Sequence, residues 1–172
     1  PNGHTVLVDG GVREPDFDAG ERIILPFLRF RGSLRVDTLV LTHPHNDHLG
    51  GLPTLLEAVQ VGEIIDSGAT ADTPAFRHWL DVIKARRVRY RTTMAGDSLI
   101  GMGAVHGTVL HPSAEIIGHT GTPPYGLNNA SVVIRLEYRM ISLLLTGDIE
   151  ETAEAGLIRE GTGLRSTIIK VP

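Results

Sequence analysis

The stretch "LTHPHNDHLGG", residues 41–51, places three histidines and an aspartate within six positions of one another. It lies between a predicted buried strand, "RVDTLVLT", and a predicted helix, "GGLPTLLEAVQ". The carboxyl end of a buried strand is where α/β proteins gather functional side chains. Imidazole and carboxylate suit zinc, manganese or iron. We therefore expect His43, His45, Asp47 and His48 to bind metal rather than to serve as solvated turn residues.

Composition narrows the chemistry that is available to the chain. The 172 residues are 41% hydrophobic, which predicts a single globular domain over residues 1–172. The formal net charge is −4, so no overall basic field attracts nucleic acid or anionic lipid. The absence of cysteine excludes disulfides and thiolate ligands. No apolar run approaches the roughly 18 residues of a spanning helix, so no membrane segment is expected.

Outward from this stretch, apolar runs and helical patterns alternate before residue 90, and several strands follow one another after it. This order favours an α/β sandwich of two sheets over a doubly wound sheet. The sequence begins and ends at predicted strands, which suggests a fragment truncated at both ends. The predicted strands are "HTVLVDGG", "RVDTLVLT", "VGEIIDSG", "RYRTT", "DSLI", "VHGTVLHP", "SVVIRLEYR", "ISLLLTGD" and "STIIKVP". The predicted helices are "DAGERIILPFLRFRG", "GGLPTLLEAVQ", "TPAFRHWLDVIKARR" and "IEETAEAGLIRE".

The pattern H-x-H-x-D-H resembles the hallmark of the metallo-β-lactamase superfamily. The resemblance implies an αβ/βα sandwich with two divalent metal ions, zinc or manganese, at one edge of the sheets. It also implies that His43 and His45 bind one metal and that Asp47 and His48 bind the other.

Two further aspartates fit the same resemblance. "LLLTGD" ends a predicted strand at Asp148, where the superfamily has a metal-bridging aspartate; the alternative is an N-cap of the next helix. "LVDGG" places Asp9 at another strand end, either as a simple turn residue or as support for a histidine ligand.

The superfamily also has a third histidine for the first metal, and His106, His111 and His119 are the candidates. We expect His106 and His111 to be structural. Asn128 and Ser131 form an Asn-x-x-Ser pattern similar to that of ComEC/Rec2-type competence proteins, and this resemblance implies that the pattern stands where other members carry the third histidine and that the first site is more open. The last histidine ligand of the superfamily is expected beyond Pro172.

"VLHP", "NNASVVIRLEYRMISLLLTGDIE" and "IIKVP" resemble the C-terminal hydrolase domain of ComEC/Rec2-type competence proteins and their free-standing relatives. This resemblance implies a nuclease or phosphodiesterase linked to DNA uptake, acting through a hydroxide that bridges two metals. Asp47 would orient that hydroxide or take its proton. The alternatives are a hydrolase of lactams or thioesters on the same scaffold, and a non-catalytic domain of an uptake channel.

Partners and location are less determined by the sequence. Lys84, Arg86, Arg87 and Arg89 are candidate nucleic-acid contacts, although the cationic end of a solvated helix has the same composition. The expected substrate is a nucleic acid or another phosphodiester. We expect a cytoplasmic protein if the chain is free-standing, and a membrane-tethered one if it is fused to a membrane channel.

Overall fold

The computed structural model describes residues 2–117, 125–161 and 163–171. The chain divides into two compact units. One consists of Thr5–Asp66 and Thr70–Arg91; the other consists of the described residues of Pro1–His4, Ser67–Ala69 and Thr92–Pro172. We call them the histidine unit and the hairpin unit. The expectation of a single domain stays a prediction.

The histidine unit contains a four-stranded sheet in the order β1-β4-β5-β6. Strand β4 runs parallel to both β1 and β5, and it reads as a near-continuous apolar run because most of it is buried. A small antiparallel hairpin, β2-β3, lies outside this sheet. The strands are β1 (Val6–Val8), β2 (Arg13–Glu14), β3 (Phe17–Asp18), β4 (Arg35–Leu41), β5 (Gln60–Asp66) and β6 (Arg89–Thr92).

Helix α4 of this unit begins where the sequence pattern places it. Thr73 caps α4, since its side-chain oxygen accepts a hydrogen bond from the Phe76 N–H at 3.2 Å. Trp79 and Phe76 on that helix are buried, as expected of core residues. The helical segments are a π-helical stretch (Gly20–Ile24), α1 (Leu25–Phe30), α2 (Asn46–Leu49), α3 (Leu52–Ala58) and α4 (Pro74–Arg86).

Gly51, at the start of α3, is needed for close backbone packing. A β-carbon at this position would overlap the carbonyl oxygen of Gly10 and the backbone nitrogen of Gly20. The Gly51 N–H donates to the Gly11 carbonyl at 3.0 Å. The turn after β1 therefore packs directly on the entry to α3.

The hairpin unit contains a five-stranded sheet in the order β11-β10-β9-β8-β7. Strands β9 and β10 form the antiparallel hairpin that their proximity in sequence predicts, whereas β11 joins β10 in parallel. A core cluster of buried residues, which includes Val133, Leu144 and Leu157, joins this sheet to α6. The elements are β7 (Ser98–Leu99), β8 (His106–His111), α5 (Ala114–Ile117), a 3-10 turn (Asn128–Ala130), β9 (Val133–Tyr138), β10 (Ile141–Leu145), α6 (Glu151–Glu160) and β11 (Ile168–Lys170).

The predicted order of strands and helices is confirmed, with local differences. The hairpin of β2 and β3 and the π-helical stretch before α1 were not expected from the sequence. Pro26 lies in the first turn of α1 rather than inside a longer helix. Among the described residues, every helix is too short or too polar to cross a membrane.

Candidate metal centre

The histidine cluster is formed where β4 ends and α2 begins. His43 follows the last buried residues of the strand, and His45 has the extended conformation of a helix N-cap, with φ −79° and ψ 153°. Asp47 and His48 consequently lie in the single turn of α2. The N-cap of α2 is His45, so Asp47 is not the capping residue of that helix.

His43 and His45 point ring nitrogens at each other. His43 Nε2 lies 3.0 Å from His45 Nδ1, with the rings nearly perpendicular. Two nitrogen ligands of a tetrahedral zinc lie about 3.3 Å apart, given zinc–nitrogen bonds of about 2.0–2.1 Å. The spacing of this pair therefore fits two ligands of one metal.

His48 and Asp47 make a second pair of ligand atoms. His48 Nε2 lies 3.7 Å from Asp47 Oδ2. The His43 and His48 rings are also close, with centroids 4.2 Å apart. The Asp47 side chain is 66% exposed, so its carboxylate is open to solvent and to a substrate.

Asp9 and Thr42 orient the two buried imidazoles. Asp9 Oδ2 lies 2.7 Å from His48 Nδ1 and accepts from the Thr42 hydroxyl at 2.9 Å. Because this hydroxyl donates to Asp9, it is an acceptor for His43 Nδ1, 3.1 Å away. The network assigns the proton of both rings to Nδ1 and presents Nε2 of each as the metal-binding nitrogen.

Hydrogen bonds also hold the backbone around Asp9. Its φ of 62° lies in the left-handed region, which aspartate tolerates better than most residues. Its N–H donates to the Val40 carbonyl at 2.8 Å, and its Oδ1 accepts from the Thr42 N–H at 2.8 Å. The next residue, Gly10, donates to the His48 carbonyl at 2.6 Å. This turn therefore connects β1, β4 and α2 at the cluster.

Asp148 lies in the hairpin unit, three residues after β10. Its N–H donates to the Ser131 hydroxyl at 3.2 Å, and its Oδ1 accepts from Lys170 Nζ at 3.2 Å. Lys170 also donates to the Gly147 carbonyl at 2.9 Å. The N-cap of α6 is Glu150, so Asp148 is not the capping residue of that helix.

The Asn-x-x-Ser segment supports the same turn. Asn128 Nδ2 donates to Glu150 Oε1 at 2.8 Å. Its neighbour Asn129 accepts from the N–H groups of Glu150 and Ala153, both at 3.1 Å. Together with Ser131, these side chains hold the start of α6 and the loop that carries Asp148.

The other histidines of the hairpin unit differ in their surroundings. His106 is exposed at the start of β8. His111 is buried at the end of that strand, where its Nδ1 donates to the Ser131 carbonyl at 2.9 Å. Burial lowers the pKa of His111, and the Ser131 hydrogen bond opposes this shift. His119 lies outside the described residues.

The candidate nucleic-acid contacts of the histidine unit lie where α4 ends and β6 begins. Lys84 and Arg86 are exposed in the last turn of α4, Arg87 follows in the left-handed conformation, and Arg89 begins β6. Tyr90, the residue after Arg89, donates its hydroxyl to Asp66 Oδ2 at 2.5 Å. Burial raises the pKa of Tyr90, and the charge of Asp66 adds to this effect.

The sequence did not indicate the roles of Thr42 and Lys170. In the sequence, Thr42 is the last residue of a predicted strand, and Lys170 is a charged residue within another predicted strand. The signal for Thr42 is its position next to the first histidine, where a hydroxyl can reach a ligand ring.

The chain matches the model of a family described as the metallo-beta-lactamase superfamily over residues 1–168. It is 26% identical over 159 residues to "ComE operon protein 3" of Bacillus subtilis, and 29% identical over 153 residues to "Recombination protein 2" of Haemophilus influenzae. These alignments cover 92% and 89% of this chain, but 20% and 17% of the relatives. The chain thus spans about a fifth of the length of the curated relatives it matches.

Among solved structures, Rm3 metallo-beta-lactamase matches with a TM-score of 0.56 at 16% identity. The match covers 96% of this chain and 66% of that one, and it bears on the fold alone. The predicted α/β fold of the metallo-β-lactamase type and the resemblance to ComEC/Rec2-type proteins are both confirmed.

Proposed function

The chain belongs to the metallo-β-lactamase superfamily of metal-dependent hydrolases, and from that premise we propose that it is a two-metal phosphodiesterase, a nuclease linked to DNA uptake. The observation that carries the proposal is the pairing of ligand atoms at the end of β4. The ligand atoms of His43 and His45 lie 3.0 Å apart. Those of His48 and Asp47 lie 3.7 Å apart. The donor types fit zinc or manganese, and the separations of 3.0 Å and 3.7 Å lie on either side of the roughly 3.3 Å between two ligands of one tetrahedral zinc.

In this proposal His43 and His45 would hold one divalent cation, and Asp47 and His48 would hold the other. Asp148 would supply a further carboxylate, whose negative charge would reduce the repulsion between the two cations. Ser131 supports this role, since its hydroxyl accepts from the Asp148 backbone. Asn128 supports it through Glu150, at the other end of the same loop.

Divalent cations, when bound, would supply Lewis-acid activation of water and of a phosphoryl oxygen. The protein residues contribute orientation and proton transfer. Asp9 fixes the tautomer of His48 directly and that of His43 through Thr42. Asp47 would orient the attacking water and accept its proton, and the exposure of its carboxylate supports this role.

The substrate proposed here is a polyanion, whose phosphates would be contacted by Lys84, Arg86, Arg87 and Arg89. All four side chains are exposed, and none of them has an ion-pair partner among the described residues. Phosphate contacts of this kind weaken as salt increases. Reversing two of these charges should therefore raise the KM for DNA and leave hydrolysis of a small phosphodiester nearly unchanged.

The test is hydrolysis of single-stranded DNA and of a small phosphodiester, with manganese, with zinc and with chelator. We expect metal-dependent cleavage in which Asp47→Asn lowers kcat by at least a hundredfold. Asp81→Asn is the matched control, since Asp81 is an exposed aspartate on α4 of the same unit.

Two outcomes would contradict the proposal. Turnover of a lactam or thioester without DNA cleavage would indicate a hydrolase of another bond type. A folded protein that binds no divalent metal would indicate a non-catalytic domain.

A further inference from the structure

The outer face of the first helical segment is apolar and open to solvent. Phe27 and Phe30 lie three residues apart on α1, so they share one face of that helix, and Ile23 precedes them in the π-helical stretch. Ile23, Phe27 and Phe30 are 57%, 59% and 86% exposed as residues, and Leu34, just beyond α1, is 51% exposed. We call these four residues the α1 apolar strip.

The residues of the α1 apolar strip are separate from those that pack α1 into the core. The same helix buries Leu25 and Leu28 on its other side, and these two residues anchor it to the histidine unit. The two phenylalanines at these exposures present roughly 300 Å² of aromatic surface, since each ring side chain offers about 150–250 Å². That area is comparable with the largest apolar patch of an ordinary monomer, and such patches are often functional.

Arginines surround the strip. Arg22, Arg29 and Arg31 are exposed and have no ion-pair partner among the described residues. Arg35 is paired with Asp37 at 2.6 Å. Residues 20–35 contain these four arginines against Glu21 as the one acidic residue, a formal charge of 4 − 1 = +3 in a chain whose net charge is −4.

We propose that the α1 apolar strip docks on an anionic bilayer surface, with the helix lying in the interface. Phenylalanine and aliphatic side chains would enter the boundary between headgroups and acyl chains, and the flanking arginines would remain at the lipid phosphates. Ile23 and Leu34 extend the strip with aliphatic groups, which cannot stack on bases as an aromatic platform for nucleic acid requires. The cationic rim distinguishes an anionic surface from a neutral one.

The proposal is tested by vesicle co-sedimentation of the intact protein. We compare vesicles of phosphatidylcholine alone with vesicles that contain phosphatidylglycerol, and we measure partitioning at low and high salt. Stronger binding to the anionic vesicles, weakened by salt, is the expected result. The paired change Phe27→Ser with Phe30→Ser should reduce this binding at least tenfold, and Arg29→Gln with Arg31→Gln should reduce it by a similar factor.

Met140→Ser is the matched control. Met140 is 95% exposed and follows Arg139 in the β9–β10 turn, so it is also an apolar residue beside an arginine, but it lies in the hairpin unit. Its replacement should leave vesicle binding unchanged. Circular dichroism and the emission of buried Trp79 verify that each variant is folded.

A second measurement reports insertion directly. In a Phe30→Trp variant, the emission of the new indole should shift to the blue on anionic vesicles, against the constant signal of Trp79. Equal binding to neutral and anionic vesicles, or binding that survives loss of both phenylalanines, would overturn the proposal. An absence of vesicle binding would also overturn it. If the variant with both phenylalanines replaced then lost affinity for single-stranded DNA or for a second copy of the chain, the strip would be assigned to that partner. None of these results depends on metal binding or hydrolysis.

Discussion

Asp9 is the residue on which the geometry of the cluster depends most directly. Its Oδ2 serves His48 and Thr42 together, and its left-handed backbone conformation directs the carboxylate toward both. Asparagine tolerates the same backbone conformation and has nearly the same shape, but it cannot replace the charge or accept at both oxygen positions.

We expect Asp9→Asn to lower divalent-metal affinity by about 10- to 100-fold, the usual effect of losing a residue that orients a histidine ligand. The fold should be retained. Metal titration monitored by calorimetry, with circular dichroism as the folding control, measures this change. Unchanged metal affinity would show that Asp9 does not orient the ligands.

Tyr90 offers a prediction about stability rather than activity. Its hydroxyl donates to the buried carboxylate of Asp66 at 2.5 Å. Tyr90→Phe removes this donor and should lower the free energy of unfolding by about 1–2 kcal/mol. Tyr125→Phe is the control, because Tyr125 is exposed. Urea unfolding compares the two, and equal stabilities would refute the role given to the hydroxyl.

At the scale of elements, the entry to α3 depends on Gly51. A β-carbon there would meet the backbone of both Gly10 and Gly20. We expect Gly51→Ala to destabilise the protein by at least about 2 kcal/mol, because rigid backbone must move to make room. Gly156→Ala on α6 is the matched control, since a β-carbon at Gly156 meets nothing within 4 Å and alanine favours the helix. Thermal unfolding of the two variants should shift the midpoint in opposite directions.

The end of β8 introduces a dependence of stability on pH. Burial lowers the pKa of His111 in the folded protein, whereas in the unfolded chain the group titrates near the ordinary value of about 6.5. The contribution of neutral His111 to the free energy of unfolding is therefore complete above about pH 6.5. It is lost as the pH falls toward the lowered pKa of the folded state. His111→Gln should flatten the decline in urea stability between about pH 7.5 and 5. An unchanged slope would assign that decline to other groups.

Sequence patterns predicted the elements that have strong periodicity or clear caps. Thr73 and Pro74 marked the start of α4, and the short separation of β9 and β10 indicated their hairpin. The hairpin of β2 and β3 was missed because each strand has only two residues, too few to show an alternation. The π-helical stretch before α1 was missed because no sequence signal separates it from an ordinary helical turn.

The sequence was sufficient to predict the residue types of the candidate ligands. It was not sufficient to predict the hydrogen bonds that surround them. The four ligand-capable residues of residues 43–48 stand together in the sequence. Thr42 and Lys170 could not be identified in this way, since their contacts join residues that are 33 and 22 positions apart. Long-range contacts of this kind depend on strand order and register, which a local pattern does not carry.

At the scale of the whole molecule, metal binding should stabilise the folded state. A cation at 100 times its dissociation constant adds about 2.7 kcal/mol to the free energy of unfolding if it binds the native state alone. We expect manganese or zinc to raise the thermal midpoint and chelator to reverse the shift. His43→Ala with His48→Ala should abolish the response, and a shift that persists in this variant would place the stabilising cation elsewhere.

The single-domain prediction for residues 1–172 belongs to the same scale. If the histidine unit and the hairpin unit form one domain, calorimetry should give a single transition whose van't Hoff and calorimetric enthalpies agree. Two separated transitions would contradict the prediction.

The carboxylate of Asp9 also has a consequence for the shape of a binding curve. It is joined to His48 directly and to His43 through Thr42, and these two histidines are proposed to bind different cations. An ion that orders the imidazole of His43 or His48 also orders the Asp9 carboxylate, and the imidazole of the other histidine depends on this carboxylate. The second ion therefore binds at a lower entropic cost. Occupancy of the two positions should then be cooperative, with a Hill coefficient above one that Asp9→Asn returns toward one.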